Sequence, residues 1–188
     1  ESYKEDYKPD HLHYANDLLS VLNELKPDSV YCLNEEQAEF LEDLDRDINV
    51  ETESLQDAIT YCRLIKTEWE LDQLREACKI NNKAHIALME AIKPGMFEYE
   101  AKAVFEAVQM KHGLLQDAYN GIFAAGKNAA ILHYVYSSSQ VKDGELFLTD
   151  AGFEYNGYAS DYTRTYPSNG RFTKTQAGIY EAVLNALN

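Results

Sequence analysis

Asp150 and Asp161 lie on either side of Asn156-Gly157, in the run Glu145-Leu-Phe-Leu-Thr-Asp150-Ala-Gly-Phe-Glu-Tyr-Asn156-Gly157-Tyr-Ala-Ser-Asp161-Tyr-Thr163-Arg-Thr-Tyr166. Asn-Gly between strand-type residues signals a β-hairpin, because both central turn positions need positive φ. With that turn, Tyr155 faces Tyr158, Phe153 faces Ser160, Gly152 faces Asp161 and Asp150 faces Thr163. Side chains alternate along a strand, so Asp150, Gly152, Asp161 and Thr163 share one face. A slip of one residue would send the two carboxylates to opposite faces. The register predicts carboxylates within about 7 Å, as diagonal neighbours, with Gly152 leaving space between them. Two carboxylates this close repel unless positive charge sits between them. Oxygen ligands suit hard divalent cations, and two carboxylates could bridge a metal pair. A solvated strand face carrying two unrelated aspartates has the same spacing, and the spacing does not choose between them.

Several elements must hold that hairpin. Thr67 is an N-cap with Glu70 as its capping-box partner. A long amphipathic helix should follow to about Ile92, with Leu71, Leu74, Ala77, Cys78, Asn81, His85 and Leu88 on one face. Lys93-Pro94-Gly95 ends it. A second helix, about 97–112, carries Tyr99, Val104, Phe105 and Val108 and stops at Gly113. The period then changes to two, and 119–125, 131–136, 145–151 and 158–166 read as strands. Thr173 opens a last helix with Ile179, Tyr180, Val183 and Leu184. The first part is predicted as a small α/β piece. Its helix opens at Pro9 and Asp10 and runs through Leu18, Leu19, Leu22 and Leu25. A strand at 29–33 and an acidic helix at 34–44 follow. Residues 45–52 read as a turn-rich connection and 53–66 as a connector.

The chain has 188 residues, enough to bury roughly 70% of its unfolded surface. It carries 32 acidic and 17 basic residues, for a net charge of −15. That balance argues against nucleic acid and against an anionic membrane surface as partners. No apolar run approaches the roughly 18 residues of a spanning helix, and no signal-peptide h-region is visible. Cys32, Cys62 and Cys78 form no Cys-x-x-Cys pair, so neither a disulfide framework nor a zinc ribbon is expected. A reducing, cytoplasmic compartment is the default reading. The missing initiator Met and a helix still in pattern at Asn188 suggest a piece of a longer protein. Among the histidines, His11 and His13 are expected at the surface. His85 should lie on the apolar face of the long helix, and His112 at a helix C-terminus, where a cation suits the dipole.

Asp150-Ala-Gly, then Ser160-Asp161-Tyr-Thr163-Arg-Thr-Tyr-Pro-Ser-Asn169-Gly170-Arg-Phe172-Thr173, with Gln176 and Tyr180-Glu-Ala-Val183, resembles the first metal-ligand block of the pita-bread metallopeptidases. The branch it is most similar to is that of the Xaa-Pro dipeptidases (prolidases) and Xaa-Pro aminopeptidases. Arg63-Leu-Ile-Lys66-Thr-Glu-Trp-Glu70-Leu-Asp-Gln-Leu74-Arg75, Lys93-Pro-Gly95-Met and Leu132-His133-Tyr134 fit the same branch in order.

The resemblance implies an α/β (α+β) fold. Residues 1–55 would be the end of a creatinase-like N-terminal domain, and 56–188 the first half of a truncated pita-bread domain. It implies hydrolysis of Xaa-Pro bonds by the intact protein, with the 188-residue piece inactive. Two divalent metals are implied, manganese with cobalt or zinc as alternatives, held by two Asp, one His and two Glu. The two Asp map onto Asp150 and Asp161. His133 maps onto a histidine that contacts substrate rather than metal; Thr163, which the register puts on the face of the two Asp, is a further candidate site residue. The His and two Glu belong to later motifs, past Asn188. The implied partners are a proline-containing dipeptide or peptide and, at full length, a second copy in a homodimer. An alternative is a non-catalytic pita-bread protein serving as a binding or scaffold module. A creatinase-like amidinohydrolase is disfavoured, because creatinase uses no metal and both aspartates stand here.

Overall fold

The computed structural model describes residues 13–44 and 48–188. The chain divides into two compact units, Glu1–Lys66 and Thr67–Asn188. In the first, a short 3-10 turn at Ala15–Asp17 leads into α1 (Leu18–Leu25), which stops at Lys26 in the left-handed conformation, φ 47°. The expected start at Pro9 and Asp10, and His11, lie outside the described residues. Strands β1 (Val30–Tyr31) and β2 (Val50–Glu51) pair in parallel, Val30 opposite Val50. Parallel pairing needs a crossover, and α2 (Glu35–Leu44) lies within it. The Asn34 side chain caps that helix by accepting from the Gln37 amide at 2.9 Å. Buried Cys32 and Leu41 belong to the core of this unit.

Two expectations fail here. The connection at 45–52 contains β2, too short to show a period. The connector at 53–66 is mostly a helix, α3 (Glu53–Leu64), with Leu55 and Ile59 half-buried one turn apart.

The second unit opens on α4 (Glu68–Ala91). The capping box forms as expected: the Glu70 amide donates to Thr67 Oγ1 at 3.4 Å, and the Thr67 amide to Glu70 Oε2 at 2.6 Å. Its buried face is Gln73, Ala77, Ile80, Asn81, Ala84, His85 and Leu88, and Cys78 points to solvent. Gly95, at φ 93°, turns the chain into α5 (Glu98–Lys111), which packs on α4.

These two helices cover a three-stranded antiparallel sheet in the order β3 (Ile122–Ala125), β4 (Leu146–Ala151), β7 (Tyr162–Pro167). Between β4 and β7 a hairpin of β5 (Glu154–Tyr155) and β6 (Tyr158–Ala159) closes on Asn156 and Gly157, at φ 49° and 81°. Both residues are left-handed, as a two-residue type I′ turn demands. Phe105, Phe123, Phe147 and Phe153 are all buried between helices and sheet, each contributing roughly 1.5–3 kcal/mol of apolar transfer. The last helix, α6 (Lys174–Leu187), is capped by Thr173 and tied to the sheet side by Gln176 Nε2, which donates to the Gly144 carbonyl at 2.9 Å.

The predicted strand at 131–136 does not form. That stretch is an irregular loop with His133 and Ser137 at φ 53° and 46°. Its apolar alternation mimics a strand, yet the segment is held by a side chain instead of a ladder, since the Tyr134 hydroxyl is bonded to buried Glu98 at 2.7 Å.

Candidate active site

The register places the acids as the turn requires. Asp150 stands opposite Thr163 in the β4–β7 pair, and opposite Ile122 in the β3–β4 pair. Along β4, Phe147, Thr149 and Ala151 are buried against the helices, while Leu146, Leu148 and Asp150 are half-buried on the other face. Asp161 is exposed just before β7. The space expected at Gly152 is taken by backbone. A Cβ there would sit 1.7 Å from the Ser160 carbonyl oxygen, so glycine is needed for the two strands to approach.

A tyrosine joins the two carboxylates. Tyr119 Oη lies 2.6 Å from Asp150 Oδ1 and 2.8 Å from Asp161 Oδ1. The two acidic oxygens are therefore no farther apart than the sum of those distances. Burial first, and then the two carboxylates that accept from it, push the Tyr119 phenol well above its ordinary value. It stays a donor across the physiological range. One hydroxyl has one proton and can satisfy one carboxylate at a time. Among the described residues neither acid is in an ion pair. The site is thus deficient in positive charge, as a cation-binding pair of carboxylates would be.

The donor set fits a divalent cation of the oxygen-preferring kind. Among the described residues it does not complete a shell, since no group of three or more His, Cys, Asp or Glu converges. His133 lies near without joining the pair. It lines, with Tyr119, Asn120, Ile122, Val135, Asp150 and Asp161, one cleft of about 440 Å³. Thr163, although opposite Asp150 in the ladder, lines a neighbouring apolar groove under α6 with Leu146, Phe172 and Tyr180.

The family model described as metallopeptidase family M24 matches residues 72–188. The chain belongs to metallopeptidase family M24. The rat Xaa-Pro dipeptidase is 36% identical, over 99% of this chain and 40% of its own length. The solved structure of Pseudomonas aeruginosa aminopeptidase PepP is 36% identical with a TM-score of 0.87, over 98% of this chain and 45% of that one. Zinc-substituted Escherichia coli aminopeptidase P in complex with product is 44% identical with a TM-score of 0.66, over 67% of this chain and 29% of that one. The chain therefore spans less than half the length of these relatives, and what it shares with them is a portion of the α/β pita-bread fold.

Within this M24 portion, sequence reasoning missed Tyr119. The period-two pattern predicts a strand from residue 119, whereas β3 begins only at Ile122; Tyr119 lies in the loop before it, and its partners lie 31 and 42 residues away. The loop's own ties are the Ala118 amide, donating to the Gly152 carbonyl at 3.0 Å, and the bridge between Asp117 and Phe153. His85 sits where expected, on the buried face of α4. It stacks on Tyr162 at 4.6 Å and meets Phe105 edge-on at 5.1 Å. Burial, only partly offset by the nearby Ala151 and Tyr162 carbonyls, lowers its pKa to about 4. His112 caps the C-terminus of α5, with Nδ1 2.8 Å from the Val108 carbonyl.

Proposed function

We propose that the full-length protein is a metal-dependent peptidase cleaving Xaa-Pro bonds, in a dipeptide or at a peptide N-terminus. The observation that carries this is the convergence of Asp150 and Asp161 on one phenol, in a cleft that His133 also lines. In this reading Asp150 and Asp161 hold two divalent cations, manganese first, with cobalt or zinc as substitutes. When bound, such cations supply Lewis-acid assistance to hydrolysis.

The chain's own groups do the rest. The carboxylates set where positive charge sits. Tyr119 fixes their orientation by donating its one proton to either of them in turn, as an outer-shell partner of metal ligands. His133 presents an N–H to the scissile carbonyl oxygen, or orients the substrate beside it. The peptide enters the cleft between Ile122 and Val135, which offer an apolar wall. By itself the 188-residue chain is inactive in this reading, because two carboxylates leave most of about six oxygen positions unfilled. Three free cysteines suit a reducing cytoplasm, and a homodimer at full length rests on the family resemblance alone.

The test is Gly-Pro hydrolysis by the full-length protein with manganese, before and after chelation. Expected is activity that chelator removes, that manganese restores, and that Asp161→Ala abolishes. Hydrolysis indifferent to chelator and to Asp161, or none at all, rejects the reading.

A further inference from the structure

Glu98 is the first residue of α5 and is fully buried. A buried carboxylate is costly unless its lone pairs are used. Here all are used, by neutral donors. Oε1 accepts from the Ala125 amide at 2.8 Å and from Asn128 Nδ2 at 2.9 Å. Oε2 accepts from the Tyr134 hydroxyl at 2.7 Å and from the Ser139 amide at 2.8 Å. The four donors come from the end of β3 and from the loop that follows it, so that loop is wrapped around one side chain.

Residues 132–138 depend on it most. Among the described residues, their side-chain hydrogen bonds all run through the Tyr134 hydroxyl, which donates to Glu98 and accepts from Asn128 Nδ2 at 3.0 Å. Packing does little to hold the tip: Leu132 is 92% and Tyr136 79% exposed. Yet His133 keeps a left-handed backbone, a conformation that few non-glycine residues adopt and that persists only where the surroundings impose it. The next residue in the chain, Tyr134, is 6% exposed and bonded to Glu98.

We propose that Glu98 is a positioning residue for the cleft. Through Tyr134 it holds the 132–138 loop in the conformation that presents His133 beside Asp150 and Asp161. The proposal rests on the peptidase reading for what His133 does, and on the contacts alone for what holds the loop. Glu98→Gln is isosteric, but turns one acceptor into a donor facing two donors. Tyr134→Phe removes the loop's anchor and leaves the other three partners of Glu98 in place.

The experiment is a double-mutant cycle in the full-length protein, with amide exchange as a second readout. In both variants the Ile131 and Ser139 amides, which donate to the Asn128 carbonyl and to Glu98 at the two ends of the loop, should exchange about tenfold faster or more while β4 stays at its wild-type rate. Gly-Pro kcat/KM should fall by about ten- to hundredfold, the scale of a small misplacement at a reacting centre. In a His133→Ala background the same substitutions should cost less than about twofold more, because the group they position is already gone. A purely structural role would lower both backgrounds alike, and that result overturns the proposal. Unchanged exchange at Ile131 and Ser139 in Tyr134→Phe overturns it as well, and that variant decides the matter if Glu98→Gln fails to fold. If the wild type does not hydrolyse Gly-Pro, it is the peptidase reading that fails, and the exchange arm still decides whether Glu98 holds the loop.

Discussion

The two faces of the β3–β4–β7 sheet are built from the same strands by the same alternation, yet they have opposite characters. One face packs Phe123, Phe147 and Ala151 against Leu88 and Phe105 of the two long helices, all buried. The other carries Leu148 and Asp150 half-buried and opens on the cleft of Tyr119, His133 and Asp161. The closed face gains its stability from apolar area and close packing. The open face holds two acids together, neither of them in an ion pair among the described residues, an arrangement that serves binding at the expense of stability. Substitutions three residues apart on β4 should therefore fail in different ways: Phe147 through unfolding, Asp150 through lost function.

Gly152→Ala should break both faces at once and have the largest effect. The new methyl would meet the Ser160 carbonyl oxygen at 1.7 Å, so the strands must part between the two acids. The expected loss is more than about 4 kcal/mol, read as the urea midpoint of the full-length protein, with manganese binding lost in whatever folds. A variant that kept wild-type stability would show that the close strand approach is not needed. Phe147→Ala comes next, at about 3–5 kcal/mol, with manganese affinity retained at temperatures where the variant is folded. Loss of metal binding without loss of stability would erase the contrast between the faces.

Tyr119→Phe sharpens the open side. It deletes one hydroxyl that two carboxylates share and leaves the ring in place. Manganese affinity should fall by about 10- to 100-fold, the usual cost of an outer-shell partner, with little change in unfolding midpoint. Calorimetric titration of the full-length protein measures it, and unchanged affinity would remove Tyr119 from the site.

The closed face and the hairpin were largely legible from residue order. Asn156-Gly157 dictates a turn, the turn dictates a register, and period two carries that register back to Asp150 opposite Thr163. The capping residues Thr67 and Thr173 marked two helix starts in the same local way. What escaped depends on contacts between distant segments. Tyr119 reaches its acids from the loop before β3, where the pattern predicts strand. Glu98 reads as an ordinary acid at a helix N-terminus, where a negative charge suits the dipole, and nothing local says that four donors converge on it. Residues 131–136 alternate like a strand, yet a single buried bond from Tyr134 overrides that signal.

The smallest expected effect at neutral pH is at His85, on the closed face directly behind the acids. Neither imidazole nitrogen has a partner in good hydrogen-bond geometry among the described residues, and the ring is 1% exposed. Burial lowers its pKa from 6.5 to about 4. Below pH 6.5 the unfolded chain takes up a proton that the folded chain refuses, so the unfolded state binds more protons and stability falls with pH. The window runs from about 6.5 down to about 4, and above it the group costs nothing further. His85→Phe keeps a ring for Tyr162 to stack on and for Phe105 to meet, and it removes the titration. At pH 7.5 the two proteins should unfold within about 1 kcal/mol of each other, as a volume-conserving swap allows. Between pH 7.5 and 5.0 the wild type should lose about 2 kcal/mol more than the variant, from the linkage relation for one group shifted in this way. Urea unfolding of both proteins at the two pH values gives the difference directly. Parallel losses would mean that His85 is protonated as readily in the folded state as in the unfolded one, and that the closed face is wetter than its burial implies.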